Sequence, residues 1–262
     1  MPHYLRMGEV PPKRHTVFEN PKGGIYREEV FGTEGFEGVE SILYHIRAPT
    51  DVTELKGAET LTATPWKPAQ HRHHHLRAAK VAADGDAMSA RRLLAFHDEC
   101  RVSIVTPTAG MQAFFRNATA DELWFVQAGA GHFESVFGKL PFREGDYVSV
   151  PRGTTYRIPD VAGARFLLIE SPGPITFPAK YVNKAGQFLE NAPYCERDLH
   201  GPTELITRDE EGSFEVRVRT WDEVSTVVMP HHPFDVVGWD GCNYPFTFNI
   251  WDFEPITGRI HQ

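Results

Sequence analysis

The stretch ATADELWFVQAGAGHFESVFGKLPFREGDYVSVPRGTTYRI, residues 118–158, decides the fold. Leu123 and Phe125, then Phe133, Ser135 and Phe137, alternate with residues that can face water or a second layer, and Tyr147, Ser149 and Pro151 continue the beat. A two-residue period belongs to β-strands, whose successive side chains point to opposite faces. The breaks carry turn chemistry. Gly129-Ala130-Gly131 can supply positive φ at a hairpin, Phe137-Gly138-Lys139 a tight reversal, and Glu144-Gly145-Asp146 another. Short antiparallel strands at intervals of roughly ten residues predict a sandwich or barrel.

Upstream, residues 1–50 are irregular and punctuated by Pro and Gly, with short strands expected at Ile25–Phe31 and Ser41–Ile46. A helical turn is expected over Met88–Leu94, and strands feeding the barrel at Ala95–His97 and Val102–Val105. Downstream, the apolar run Ala164–Glu170 suits a buried strand. The polar segment 175–202 is long for a loop, and such loops tend to bind, to cover something or to build subunit contacts. Glu190, Cys195, Glu196, Arg197 and Asp198 are expected to form a local charge network there. In FEVRVRTWDEVSTVV, Phe214, Val216 and Val218 oppose Glu215, Arg217 and Arg219, which reads as one buried and one wet face.

With 262 residues the chain can form one large all-β domain or two modest ones, and 41% hydrophobic residues suffice for a sizeable core. Twenty prolines, 22 glycines and a 12% aromatic share fit a turn-rich β protein. A net charge of −8 argues against nucleic-acid binding, which needs a clustered basic face. No apolar run reaches the about 18 residues of a membrane span, and the N-terminus lacks the apolar region of a secretory signal. Cys100, Cys195 and Cys242 are odd in number and widely spaced, which reads as buried thiols in a reducing cytoplasm.

DELWFVQAGAG followed by GDYVSVPRGTTYRI resembles the paired motifs of the cupin superfamily, small jelly-roll barrels that hold a metal with two His and a Glu from the first motif and a His from the second. Here Glu122 stands in the acidic neighbourhood of the first motif. The two upstream His positions fall near Asn117 and Thr119, and Tyr156 replaces the closing His. Such sites need several neutral imidazoles converging on one ion, so the expectation is a cupin-shaped barrel without metal.

More of the chain is similar to the homogentisate 1,2-dioxygenases of the shorter bacterial type: MGEVPPKRHTVF, GGIYREEVFGTEGF, SILYHIRAPT, YVNKAGQFLENAPYCERDLHGP, PFDVVGWDG and YPFTFN. The resemblance implies an Fe(II)-dependent, cytoplasmic enzyme that opens the ring of a small aromatic acid with O₂, giving maleylacetoacetate, and that assembles into homo-oligomers, trimers or hexamers. It also implies iron ligands in a second, catalytic cupin half beyond Gln262, and places His261 near a general base acting on the substrate hydroxyl. On this reading residues 1–110 are wrapping strands and loops and 111–172 are the metal-free barrel core. Residues 173–262 are a long loop, further strands and a linker towards the missing half. The chain, shortened by truncation or a split gene, would by itself hold no iron and be inactive.

The remaining histidines are weaker metal candidates. His71, His73, His74 and His75 are sequential, so on a strand alternate members point apart, which favours a surface or structural role. The adjacent His231 and His232 are a poor chelate for the same reason, and the lone His97 reads as a satisfied core or surface residue. Two other functions remain open: a metal-free barrel that binds a small aromatic ligand or a partner chain, and a stand-alone cupin enzyme that holds a different metal through the His-rich run.

Overall fold

A computed structural model describes residues 3–67, 70 and 72–254. Strands dominate these residues. The N-terminal part carries β1 (Leu5–Gly8), β2 (Arg27–Glu34), β3 (Glu37–His45), β4 (Glu54–Thr60), β5 (Arg91–His97) and β6 (Cys100–Val105). The middle carries β7 (Phe114–Asn117), β8 (Asp121–Ala128), β9 (Ala130–Ser135), β10 (Gly138–Arg143), β11 (Asp146–Val150), β12 (Thr155–Asp160) and β13 (Arg165–Ser171). β14 (Glu211–Arg219), β15 (Glu223–His231), β16 (Val236–Gly241) and β17 (Phe246–Asn249) complete the set.

Two sheets form a jelly-roll barrel of the cupin type. One runs β17-β11-β8-β13-β6-β5 and the other β10-β9-β12-β7-β14-β15-β4. Pairing is antiparallel apart from β14 on β7, which is parallel. The barrel core gathers Phe115, Trp124, Phe133, Phe142, Tyr156 and Phe166 with aliphatic side chains, and full burial of each large apolar group is worth about 1.5–3 kcal/mol. A third sheet, β1-β16-β3-β2, shares a second core with Phe114 of β7 and Val216 of β14. Trp239 anchors that layer, its indole N–H donating to the Phe137 carbonyl at 2.9 Å. Hydrogen bonds cross both position 110 and position 172: β6 pairs with β13, β14 with β7 and β17 with β11.

The fold corrects several details of the sequence reading. Along β8 the fully buried positions are Glu122, Trp124 and Val126, while Leu123 and Phe125 are half-buried on the outer face. There Phe125 meets Tyr147 at 4.8 Å between ring centroids, and Tyr147 stacks on Phe248 at 5.1 Å. Both faces of β8 are therefore covered by aromatic rings, and hydropathy could not fix its phase. Gly129 is a corner and not a hairpin, because β8 and β9 belong to different sheets. Gly145 makes the equivalent corner between β10 and β11, whereas Gly138 (φ +116°) does close the β9–β10 hairpin. The expected helical turn closes earlier, with the Ala90 N–H donating to the Asp86 carbonyl at 2.8 Å, and Arg91 already begins a strand.

Candidate functional site: a buried ionic cluster and an arginine-lined cleft

Glu122 on β8 and Glu170 on β13 are direct cross-strand partners, and both are fully buried. Two facing carboxylates inside a barrel repel each other unless a cation lies between them. Arg91, at the start of β5, supplies it. Its Nη1 lies 2.7 Å from Glu122 Oε1 and 3.2 Å from Glu170 Oε1, and its Nη2 donates to the Tyr156 hydroxyl at 2.9 Å. The guanidinium packs over the rings of Phe115 and Trp124, 4.5 and 5.0 Å from their centroids. Asn117, at the end of β7, donates its amide to both carboxylates at 3.1 Å. The Tyr156 hydroxyl and the Trp124 indole N–H donate to Glu122 Oε2 at 2.6 and 3.2 Å.

These contacts divide the two acids. Burial alone would push Glu122 up, but Arg91 and the Tyr156 and Asn117 hydrogen bonds hold it below the usual carboxylate range. At Glu170 burial prevails and the carboxyl is raised; its Oε2 is buried with no partner among the described residues. Burial and the Glu122 charge raise the Tyr156 phenol, so it stays a hydrogen-bond donor. Arg219, at the end of β14, reaches Glu170 Oε1 at 3.3 Å, and burial together with the neighbouring Arg91 lowers its pKa.

Beside this cluster opens a cleft of about 530 Å³ lined by Arg91, Arg101, Arg217 and Arg219, with Phe115 and Met88 among its apolar walls. Glu59 is the one acid among the described lining residues. Arg101 is buried, donates to the Trp221 carbonyl and bonds Asp222 at 3.0 Å.

The donor set does not fit iron. The motif positions Asn117 and Tyr156 converge on Glu122 as the cupin resemblance implies, but they bring a carboxamide and a phenol in place of imidazoles. Arg91 already occupies the counter-ion position between the carboxylates. Thr119 contributes no side chain to the cluster; its backbone N–H donates to Asn117 Oδ1 at 3.3 Å. Among the described residues no group of three or more His, Cys, Asp or Glu could hold a metal ion.

The histidines are dispersed. His73, His74 and His75 are exposed outside regular structure, with His74 edge-on to Trp66 at 4.7 Å. His97 is exposed where β5 turns into β6. His231 contacts the Ala48 carbonyl at 3.2 Å, while His232 packs on Phe114 and Phe214 and accepts the Phe234 N–H at 3.0 Å. His71 and His261 lie outside the described residues. The three cysteines are free but half-buried and not fully buried. The expected charge network at 190–198 is backbone capping: Asp198 accepts the Cys195 N–H at 2.7 Å and Glu196 the Phe188 N–H at 3.4 Å. Sequence reasoning missed Arg91, Glu170 and Arg219. The available signals were a carboxylate ending the apolar run of β13 and arginines alternating along β14.

Fold and interior together define a cupin-type barrel whose centre is an ion-paired cluster. Comparison with known proteins narrows this class. The profile of the family described as Homogentisate 1,2-dioxygenase N-terminal matches residues 40–250, and the chain belongs to that family. A candidate dioxygenase of Saccharolobus solfataricus is 42% identical over 263 residues, covering 100% of this chain and 68% of its own. A homogentisate 1,2-dioxygenase of Rhodopseudomonas palustris strain BisB18 is 24% identical over 277 residues, covering 98% of this chain and 59% of its own. Another, from Nitrobacter hamburgensis, is 29% identical over 144 residues, and the match spans 31% of that protein. The chain thus spans about two thirds of the Saccharolobus relative and less of these two homogentisate dioxygenases. A cupin protein from Bacteroides fragilis aligns over 42% of this chain and 94% of its own, with 17% identity and a TM-score of 0.33.

Proposed function

We propose that this barrel is the metal-free part of an Fe(II)-dependent dioxygenase that opens the ring of homogentisate, or of a close hydroquinone acid, with O₂ to maleylacetoacetate. The observation that carries the reading is the extent of the family match, residues 40–250, joined to a barrel interior sealed by Arg91. On this reading the iron is gripped by residues outside the barrel. His261 acts as the base on the substrate hydroxyl, a task suited to an imidazole that titrates near neutral pH. Tyrosine and phenylalanine catabolism, a cytoplasmic location and assembly into trimers or hexamers, with segment 175–202 as a contact, belong to the same proposal.

An oxygen electrode tests it. The natural gene product containing this sequence, loaded with Fe(II), should consume O₂ when homogentisate is added, while the 262-residue chain alone should not. Turnover by the chain alone, or none by the iron-loaded gene product, would sink the reading. The arginine-lined cleft favours a second function, that of a binding module without catalysis.

A further inference from the structure

Arg217 and Arg219 lie two residues apart on β14, so their side chains leave the same face of the strand, opposite Phe214, Val216 and Val218 in the second core. Both line the cleft. Arg219 has side-chain exposure of 12%, and among the described residues its guanidinium makes one ionic contact, to Glu170, and no hydrogen bond. The Arg217 guanidinium meets Glu59 at 3.7 Å and likewise makes no hydrogen bond among the described residues. Behind them, Arg91 Nε and Arg101 Nε are buried without a hydrogen-bond partner among the described residues. An arginine fork offers five N–H donors in a fixed plane, and nearly all those of Arg217 and Arg219 lack a protein acceptor among the described residues.

Burying guanidinium groups with unmade hydrogen bonds is costly, and an anion would offset that cost. We infer that the cleft binds a small organic carboxylate, its carboxylate bridging Arg217 and Arg219 and its body lying against Met88, Leu61 and Phe115. This inference does not depend on the proposed ring cleavage. Shape and lining favour an organic acid over inorganic phosphate. A volume of about 530 Å³ lies in the range of pockets for small organic molecules, and apolar side chains share its walls with the arginines. Paired forks match the planar, bidentate geometry of a carboxylate.

Titration calorimetry at low salt with benzoate as probe, and with benzamide as its uncharged isostere, tests the inference on the full chain. Benzoate should bind saturably and benzamide should not. Arg217→Gln, at a half-exposed side chain whose ionic contact is Glu59, should weaken benzoate about tenfold, which is about 1.4 kcal/mol. Arg219→Gln should abolish binding, with its thermal melt recorded to show that it is folded. Arg143→Gln, an exposed arginine elsewhere, should bind as the parent does. Absence of saturable benzoate binding would overturn the inference, as would benzamide binding equally well, phosphate binding more tightly than benzoate, or an unchanged affinity in Arg217→Gln.

Discussion

Two histidines buried in this protein are tuned in opposite directions. His45 lies between Asp235 Oδ1 at 2.7 Å and Glu29 Oε2 at 2.9 Å. Burial alone would lower its pKa, but the two carboxylates outweigh burial and raise it from 6.5 to about 9. His232 faces phenyl rings, and its Nδ1 is committed as an acceptor, so burial lowers it to about 4. The signs follow from linkage. The His45 contribution is complete below pH about 6.5 and fades as pH rises through about 9, a change of a few kcal/mol. The His232 contribution is complete above about 6.5 and fades as pH falls through about 4. Denaturant midpoints measured against pH should therefore show the gap between the parent and His45→Gln closing on the alkaline side. The gap between the parent and His232→Gln should close on the acid side. A gap independent of pH in either variant would contradict its assignment. The pattern of residues revealed none of this, because Glu29, His45 and Asp235 are brought together only by β2, β3 and the turn before β16. For the same reason Glu122 was legible from its motif, whereas Arg91, 31 positions upstream, was not.

Strands were more legible than their faces. Alternation located β8, β9, β11 and β14, because a two-residue period survives whatever packs on either side. The inward phase of β8 was lost because Tyr147 and Phe248 cover the side that would otherwise be wet. The polar face of β14 was read as solvated, yet Arg219 turns into the barrel mouth and meets Glu170. Turn glycines were legible as punctuation but not as geometry: a hairpin and a corner between sheets both ask for positive φ. Gly129 carries φ +84°, and a Cβ there would stand 2.6 Å from the Ala164 Cα. The atoms met are all backbone, of Gly163 and Ala164, which prevents a cheap adjustment, so Gly129→Ala should lower stability by roughly 1–3 kcal/mol in chemical denaturation. Gly163, also at positive φ but with nothing near a built Cβ, serves as the comparison; Gly163→Ala should cost less. Equal losses at both sites would mean that the corner is not the constraint.

At the scale of the molecule, strands from distant parts of the sequence close one barrel, and a third sheet is packed on its outer face. The all-β cupin architecture was legible because its two motifs lie in one continuous stretch. That β5 and β6 feed the barrel was legible too, but their place in the strand order and the parallel pairing of β14 on β7 were not, since register between distant strands leaves no local trace. The interior then determines what the barrel can hold: a guanidinium between two carboxylates, braced by a carboxamide and a phenol, occupies the space where a cupin metal would need imidazoles. The most direct measurement is iron content after anaerobic Fe(II) loading and desalting, made on the 262-residue chain and on Glu122→Ala. The structure predicts no iron retained by the barrel in either protein. Stoichiometric iron in the parent that is lost in Glu122→Ala would contradict it.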